Sequence, residues 1–258
     1  MSDRLQIDGL SIEYRWWKRD DQGAPPIILL HEGLGSIAMW RDFPDALAAA
    51  TGRSVFAYSR VGHGASDAPP TPHTIDFMHD EARDSLPRIL DHVHIDRAVL
   101  LGHSDGGSIA LIFAAEHPAS TDGLVLESPH VFVEDVSIGS IRRMQTLYES
   151  TDLRERLAKY HSNVDAAFHG WNDVWLSPEF RTWNLESYLP RISCPTLVIQ
   201  GEQDEYGTLK QVEAIERQLA GPVETLIVPD CGHSPHRDRP DAVLKAVVEF
   251  CGSPGMGS

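Results

Sequence analysis

The sequence predicts an α/β fold with a mostly parallel sheet covered by helices on both faces. Two observations carry that expectation. Short β-branched or apolar runs alternate with helical patterns along most of the chain, and strands joined by helical crossovers lie parallel. The runs VFAY, AVLL, LVL, TLVI and TLIV are also apolar at every position, as strands buried on both faces are.

Residues 11–18 and 27–31 read as the first strands. Residues 37–50 then place Met39, Trp40, Phe43 and Leu47 near one helical face, with Gly52 as the stop signal. Residues 54–58 form the next strand. Residues 74–92 read as a helix bent at Pro87, because a proline ring clashes with the preceding turn. A strand at 98–101, a helix at 106–116 and a strand at 123–126 follow. The last third continues the alternation, with strands at 195–200 and 224–228 and helices at 207–219 and 242–251.

The rhythm breaks once. Between Glu127 and Cys194 no strand is evident, and the interval is rich in aromatics: Tyr148, Tyr160, Phe168, Trp171, Trp175, Phe180, Trp183 and Tyr188. It reads as a helical excursion whose aromatics fill a small core of its own. It also reads as a lid over the carboxyl edge of the sheet, where open α/β sheets bind ligands.

Composition narrows the function. With 41% hydrophobic and 23% charged residues, the chain suits a soluble globular domain. Its 22 Lys plus Arg against 38 Asp plus Glu give a formal net charge of −16, which argues against coating nucleic acid or an anionic membrane. The longest apolar run, residues 109–115, is far short of the roughly 18 residues that span a bilayer. The N-terminus, MSDRLQIDGL, has neither the basic nor the apolar region of a signal peptide. Cys194, Cys231 and Cys251 are an odd set without C-x-x-C spacing, so a reduced cytoplasmic protein is expected. His92-Val93-His94 has ligand-like spacing but no obvious third ligand, and no metal is expected there.

The most informative stretch is Gly102-His103-Ser104-Asp105-Gly106, a Gly-x-Ser-x-Gly between an apolar strand and a helix apolar on every side. A serine on such a sharp turn exposes its hydroxyl, and the small flanking residues let neighbouring segments approach. The helix behind it offers its positive end to the anion formed on attack. A serine also needs a base held by a third group. Asp204 lies in the loop after one late strand and His233 in the loop after the next, both at the serine's edge of the sheet. Competing assignments are His236 for the base, and Asp230, Glu202 or Glu205 for the acid.

These pieces, LLHEGLGS (29–36), YSRVGHGASD (58–67), LLGHSDGGS (100–108), CPTLVIQGEQD (194–204) and CGHSPHRDRPD (231–241), resemble the α/β-hydrolase superfamily over nearly the whole chain. The resemblance implies an eight-stranded, mostly parallel sheet with helices on both faces and a helical cap inserted after the sixth strand. The corresponding division is a core of residues 1–130 and 194–251, a cap of residues 131–193 and a flexible tail of residues 252–258. It implies a Ser104–His233–Asp204 triad and no cofactor. The oxyanion hole would use the backbone N–H of Asp105 and that of Gly33 or Leu34.

Two departures from the family pattern stand out. The oxyanion loop reads His31-Glu32-Gly33-Leu34-Gly35, where relatives usually carry His-Gly-x-Gly. Glu32 would oppose a developing oxyanion unless it points away or is neutralised; a hydrogen bond stapling the loop is the expected role. Ser59 stands where relatives often carry Asp before Arg60, in a segment that looks structural.

The function expected is hydrolysis of a small carboxylic ester, thioester or lactone with an apolar or aromatic group, through an acyl-enzyme. His103, Trp171 and Trp175 are expected to contact a small-molecule substrate, with no nucleic-acid or membrane partner. Serine at the nucleophile position argues against haloalkane dehalogenase and epoxide hydrolase chemistry, which attack through a carboxylate. The alternatives are a carbon–carbon bond hydrolase of a ring-cleavage product, with Arg142, Arg143 or Arg181 meeting the substrate carboxylate, and a hydrolase-fold protein that binds its ligand without turnover.

Overall fold

The computed structural model describes residues 2–18, 23–69 and 71–253. Of the tail expected over residues 252–258, residues 254–258 lie outside the described residues.

Eight strands form one sheet in the order β1-β2-β4-β3-β5-β6-β7-β8. They are β1 (Asp3–Ile7), β2 (Leu10–Trp17), β3 (Ile27–Leu30), β4 (Val55–Tyr58), β5 (Ala98–His103), β6 (Thr121–Glu127), β7 (Thr196–Gly201) and β8 (Val223–Val228). β1 pairs β2 antiparallel and β2 pairs β4 antiparallel; every later pairing is parallel. β1 has no counterpart in the sequence reading. It is an edge strand with only Leu5 fully buried, so its apolar pattern is weak.

Side chains alternate between two cores. Ile27, Leu29, Val55, Ala57, Val99 and Leu101 pack on one side with helices α1 (Phe43–Thr51) and α10 (Pro240–Cys251). Ile28, Leu30, Phe56, Tyr58, Leu100 and Leu126 pack on the other. This is the period-two geometry of a strand with both faces covered. Helix α4 (Asp105–Glu116) runs through the second core with Ile109, Leu111, Ile112 and Phe113 all buried. Burial of such side chains stabilises by about 1.5–3 kcal/mol each, which is why this helix carries no polar face.

Two helices expected as single elements are interrupted. The one expected over residues 37–50 is a short 3-10 turn, Ile37–Trp40, followed by α1. Pro44 decides this: in one continuous helix it would be interior, whereas here it sits in the first turn of α1, where its missing N–H costs nothing. The one expected over residues 74–92 is α2 (Phe77–Asp80), a π turn over Glu81–Ser85 and α3 (Leu86–His92). Pro87 does disturb this helix, through a π turn just ahead of it.

Between β6 and β7 lie α5 (Asp135–Ser150), α6 (Leu153–Leu157) and α7 (Val164–Leu176), with two 3-10 turns. Tyr148 stacks on Phe168 with ring centroids 3.7 Å apart and Phe180 stacks on Trp183 at 5.3 Å, so part of the aromatic content packs within the excursion. The core is completed by α8 (Lys210–Gln218) and α9 (Pro235–Asp238). Among the described residues no helix is long and apolar enough to cross a membrane.

Candidate active site

β5 delivers the chain to Ser104, whose backbone takes φ 54° and ψ −119°. A non-glycine residue there is strained. The turn is tight enough that a Cβ on Gly102 would overlap the Gly106 carbonyl, and one on Gly106 would overlap the Leu30 carbonyl of β3. Ser104 N–H donates to Glu127 O of β6 at 2.8 Å, anchoring the turn to the next strand.

The base and acid arrive from β7 and β8. His233 Nε2 lies 2.9 Å from Ser104 Oγ, and its Nδ1 lies 2.8 and 2.9 Å from the two Asp204 oxygens. Asp204 also accepts from Tyr206 N (2.7 Å), Gly207 N (3.2 Å) and Gln200 Nε2 (2.7 Å). Burial opposes its charge, but the His233 ring and then the Tyr206 N–H outweigh that and hold the carboxyl down at about 2. An ionised Asp204 keeps the proton of neutral His233 on Nδ1 and leaves the Nε2 lone pair facing the serine hydroxyl. The structure thus brings Ser104, His233 and Asp204 together in hydrogen-bonded series.

The competing residues lie elsewhere. His236 is buried against Glu127, with Nδ1 and the backbone N–H each 2.9 Å from one carboxylate oxygen. Asp230 faces solvent with its nearest cation, Arg239, at 3.9 Å. Glu202 is exposed and Glu205 stands at the cavity rim.

On the other side of Ser104, residues 32–35 form a turn closed by Gly35 N–H donating to Glu32 O at 3.0 Å. The Gly33 and Leu34 N–H groups make no hydrogen bond within the described protein. Neither does the Asp105 N–H, because the first residue of α4 has no helical carbonyl to reach. Glu32 folds back over Gly35, with Oε2 3.5 Å from His103 Nδ1. Burial opposes the charge on each partner, yet their mutual attraction raises the His103 pKa and lowers that of Glu32. The expected hydrogen-bonded staple is therefore an ion pair. His103 borders the cavity, but its Nε2 is 2.7 Å from His233 O and its Nδ1 faces Glu32, so both ring nitrogens serve the protein. Ser59 is structural: its hydroxyl donates to Glu13 at 2.8 Å and accepts from Ile37 N at 3.1 Å.

A cavity of about 240 Å³ opens over Ser104. Trp171 and Trp175 line it, with Leu34, Met39, Ile141 and Met144. Arg142, Arg143 and Arg181 do not; Arg181 pairs with Asp135 on the surface. The cavity also carries Arg237 of α9, a cation without a carboxylate partner among the described residues at the site, which the sequence reading missed, as it missed His130, Tyr206 and Glu127. The Tyr206 ring packs on His233 at 4.6 Å. Burial, then the neighbouring His233 ring, lowers the His130 pKa to about 3, so the His130 ring is neutral. Glu127 carried one legible signal, a carboxylate directly after the apolar run of residues 124–126.

Three relatives are informative. A sn-1-specific diacylglycerol lipase of Danio rerio is 24% identical over 87% of this chain and 78% of its own length. A proline iminopeptidase of Lactobacillus helveticus is 32% identical over 88% of this chain and 89% of its own. The crystal structure of the enol-lactonase from Burkholderia xenovorans superposes with a TM-score of 0.74 and 25% identity, covering 97% of this chain and 100% of that one. The model of the Alpha/beta hydrolase family matches residues 27–246, from the start of β3 into α10, and to that family this chain belongs.

Proposed function

We propose that this chain is a serine hydrolase of small carboxylic esters, acting through an acyl-enzyme. The observation that carries the reading is His233 Nε2 at 2.9 Å from Ser104 Oγ, with Nδ1 held by Asp204. Ser104 Oγ attacks the ester carbonyl carbon as His233 takes its proton. The Asp105 N–H and that of Gly33 or Leu34 stabilise the oxyanion. His233 then protonates the departing alkoxide, and in the second half-reaction activates water against the acyl-enzyme, while Asp204 fixes its tautomer.

The cavity supports a small substrate. At about 240 Å³ it falls below the roughly 300–1,000 Å³ of pockets for drug-sized ligands, and its walls are largely apolar. Glu32, Asp105 and Glu205 border it, against Arg237 and the His103 ring already paired with Glu32. That balance disfavours the carboxylate-bearing substrate of a carbon–carbon hydrolase. Asp105 is buried with no ion-pair partner among the described residues, only the Trp175 indole N–H beside its carboxyl, and burial pushes its pKa up to about 6 against the pull of Arg60. An acyl group carrying an amine would give this carboxyl the cationic partner it lacks. The residues of the excursion that line the cavity support reading residues 131–193 as a cap, and three unpaired cysteines support a cytoplasmic site of action.

The test is a fluorophosphonate probe, its adduct located by peptide mass spectrometry, alongside hydrolysis of p-nitrophenyl acetate and butyrate. An adduct on Ser104 with many turnovers per protein is expected. A single burst, or no adduct and no turnover, overturns the reading in favour of a binding protein.

A further inference from the structure

The three carbonyls of the oxyanion loop are each met by a different buried histidine. His31 Nε2 accepts from Arg60 N–H at 3.0 Å, so its Nδ1–H donates to Glu32 O at 2.7 Å, an oxygen that also receives Arg60 Nη2 at 2.9 Å. His63 Nε2 lies 2.9 Å from Gly33 O. His161 Nδ1 accepts from Gly64 N–H at 3.0 Å, which leaves its Nε2–H to donate to Leu34 O at 3.0 Å. All three rings are buried.

Carbonyl positions matter because a trans peptide holds C=O and the following N–H in opposite directions. Drawing Glu32 O into the protein turns the Gly33 N–H the other way, and drawing in Gly33 O does the same for Leu34. Holding Leu34 O sets the next peptide, whose Gly35 N–H returns to Glu32 O and closes the turn. His31 and His63 thus set the direction of the free N–H groups directly, and His161 sets it through the turn that Gly35 closes.

His31 and His63 follow β3 and β4, but His161 belongs to the excursion, between α6 and α7. Its segment is tied on both sides of one residue, since Ser162 N–H donates to Gly64 O at 2.7 Å while Gly64 N–H donates to His161. Resting on the serine-hydrolase reading above, we infer that His161 is a positioning residue for the oxyanion hole: the inserted helices, when seated, set the loop that stabilises the transition state. The neutral Nε2–H tautomer, imposed by Gly64, is the form that does this.

The inference is tested with His161→Ala, His161→Asn and His161→Gln, the first removing both bonds. Asn keeps an acceptor near the Nδ1 position, and Gln keeps a donor near the Nε2 position. Steady-state kinetics on p-nitrophenyl acetate are paired with inhibition by phenylboronic acid, whose tetrahedral adduct on serine places an oxygen in the oxyanion hole, and with thermal melts. For Ala and Asn, kcat is expected to fall by about 10- to 100-fold with KM within about threefold, because small misplacements of catalytic groups cost on this scale. The boronate Ki is expected to rise in the same proportion, and Gln to recover most of both. Unchanged boronate affinity in folded Ala or Asn protein overturns the inference, as does a loss confined to KM. If Ala does not fold, the comparison of Gln with Asn decides, and equal activity of the two overturns it. Absence of turnover and of fluorophosphonate labelling in the unmodified protein would instead sink the hydrolase reading itself.

Discussion

The indole of Trp171, on α7, occupies the space that a Cβ on Gly33 would fill. This position is glycine because the excursion packs its ring directly on the oxyanion loop. Gly33→Ala is expected to displace the indole or the loop and to lower kcat/KM by about 10-fold or more. Adding Trp171→Ala is expected to restore part of that loss. A double-mutant cycle measures the coupling; strictly additive effects would show that the two residues do not constrain each other.

The strained backbone at Ser104 separates activity from stability. Ser104→Ala is expected to lower turnover by on the order of 10⁴-fold while preserving the fold. Ser104→Gly, equally inactive, is expected to melt higher than Ser104→Ala, because φ 54° costs a non-glycine residue about 1–3 kcal/mol. Calorimetry of both variants, with esterase assays, checks the pair.

Asp204 ties catalysis to acid stability. Its carboxyl is depressed from 3.8 to about 2 in the folded chain, so its stabilisation is complete above pH 3.8 and lost as pH falls through 2. At 1.36 kcal/mol per unit this is about 2 kcal/mol. Asp204→Asn is expected to lose that amount at neutral pH and little near pH 2. Its kcat is expected to fall by about 10⁴-fold, because the amide no longer holds the Nδ1–H tautomer of His233. Denaturant melts across that pH range, with kinetics at pH 7, make the comparison.

Asp105 has the opposite sign. Its pKa rises from 3.8 to about 6 on folding, so the stability linked to its proton is present below pH 3.8 and lost as pH rises through 6. Asp105→Asn is therefore expected to gain on the unmodified protein above pH 6, by at most about 3 kcal/mol, and not below pH 4. In the unmodified protein, KM for an amino-acid ester is expected to fall as pH rises through 6. The variant should raise KM for that ester while leaving a neutral ester of similar size little changed. Equal effects on both esters would remove Asp105 from substrate recognition.

Much of this architecture was legible residue by residue. The apolar strands, the all-apolar helix after Ser104 and the order Ser104, Asp204, His233 are local patterns, and local patterns report burial and sheet edge directly. Pro44 and Pro87 also carried the breaks in their helices; the resulting 3-10 and π turns depend on the packing around them. The Glu32–His103 ion pair, the burial of His236 on Glu127, the burial of the Asp105 carboxyl beside Trp175 and the seat of His161 on Leu34 were not legible. Each joins side chains from segments remote in sequence, and neither composition nor periodicity encodes which distant groups meet. The sequence by itself determined the fold, the candidate nucleophile and the edge of the sheet where chemistry is expected, because these follow from periodicity and turn chemistry. Only the tertiary structure decided the charge of the cavity and the direction of the loop N–H groups, because both depend on the crossing of β3, β4 and the excursion in space.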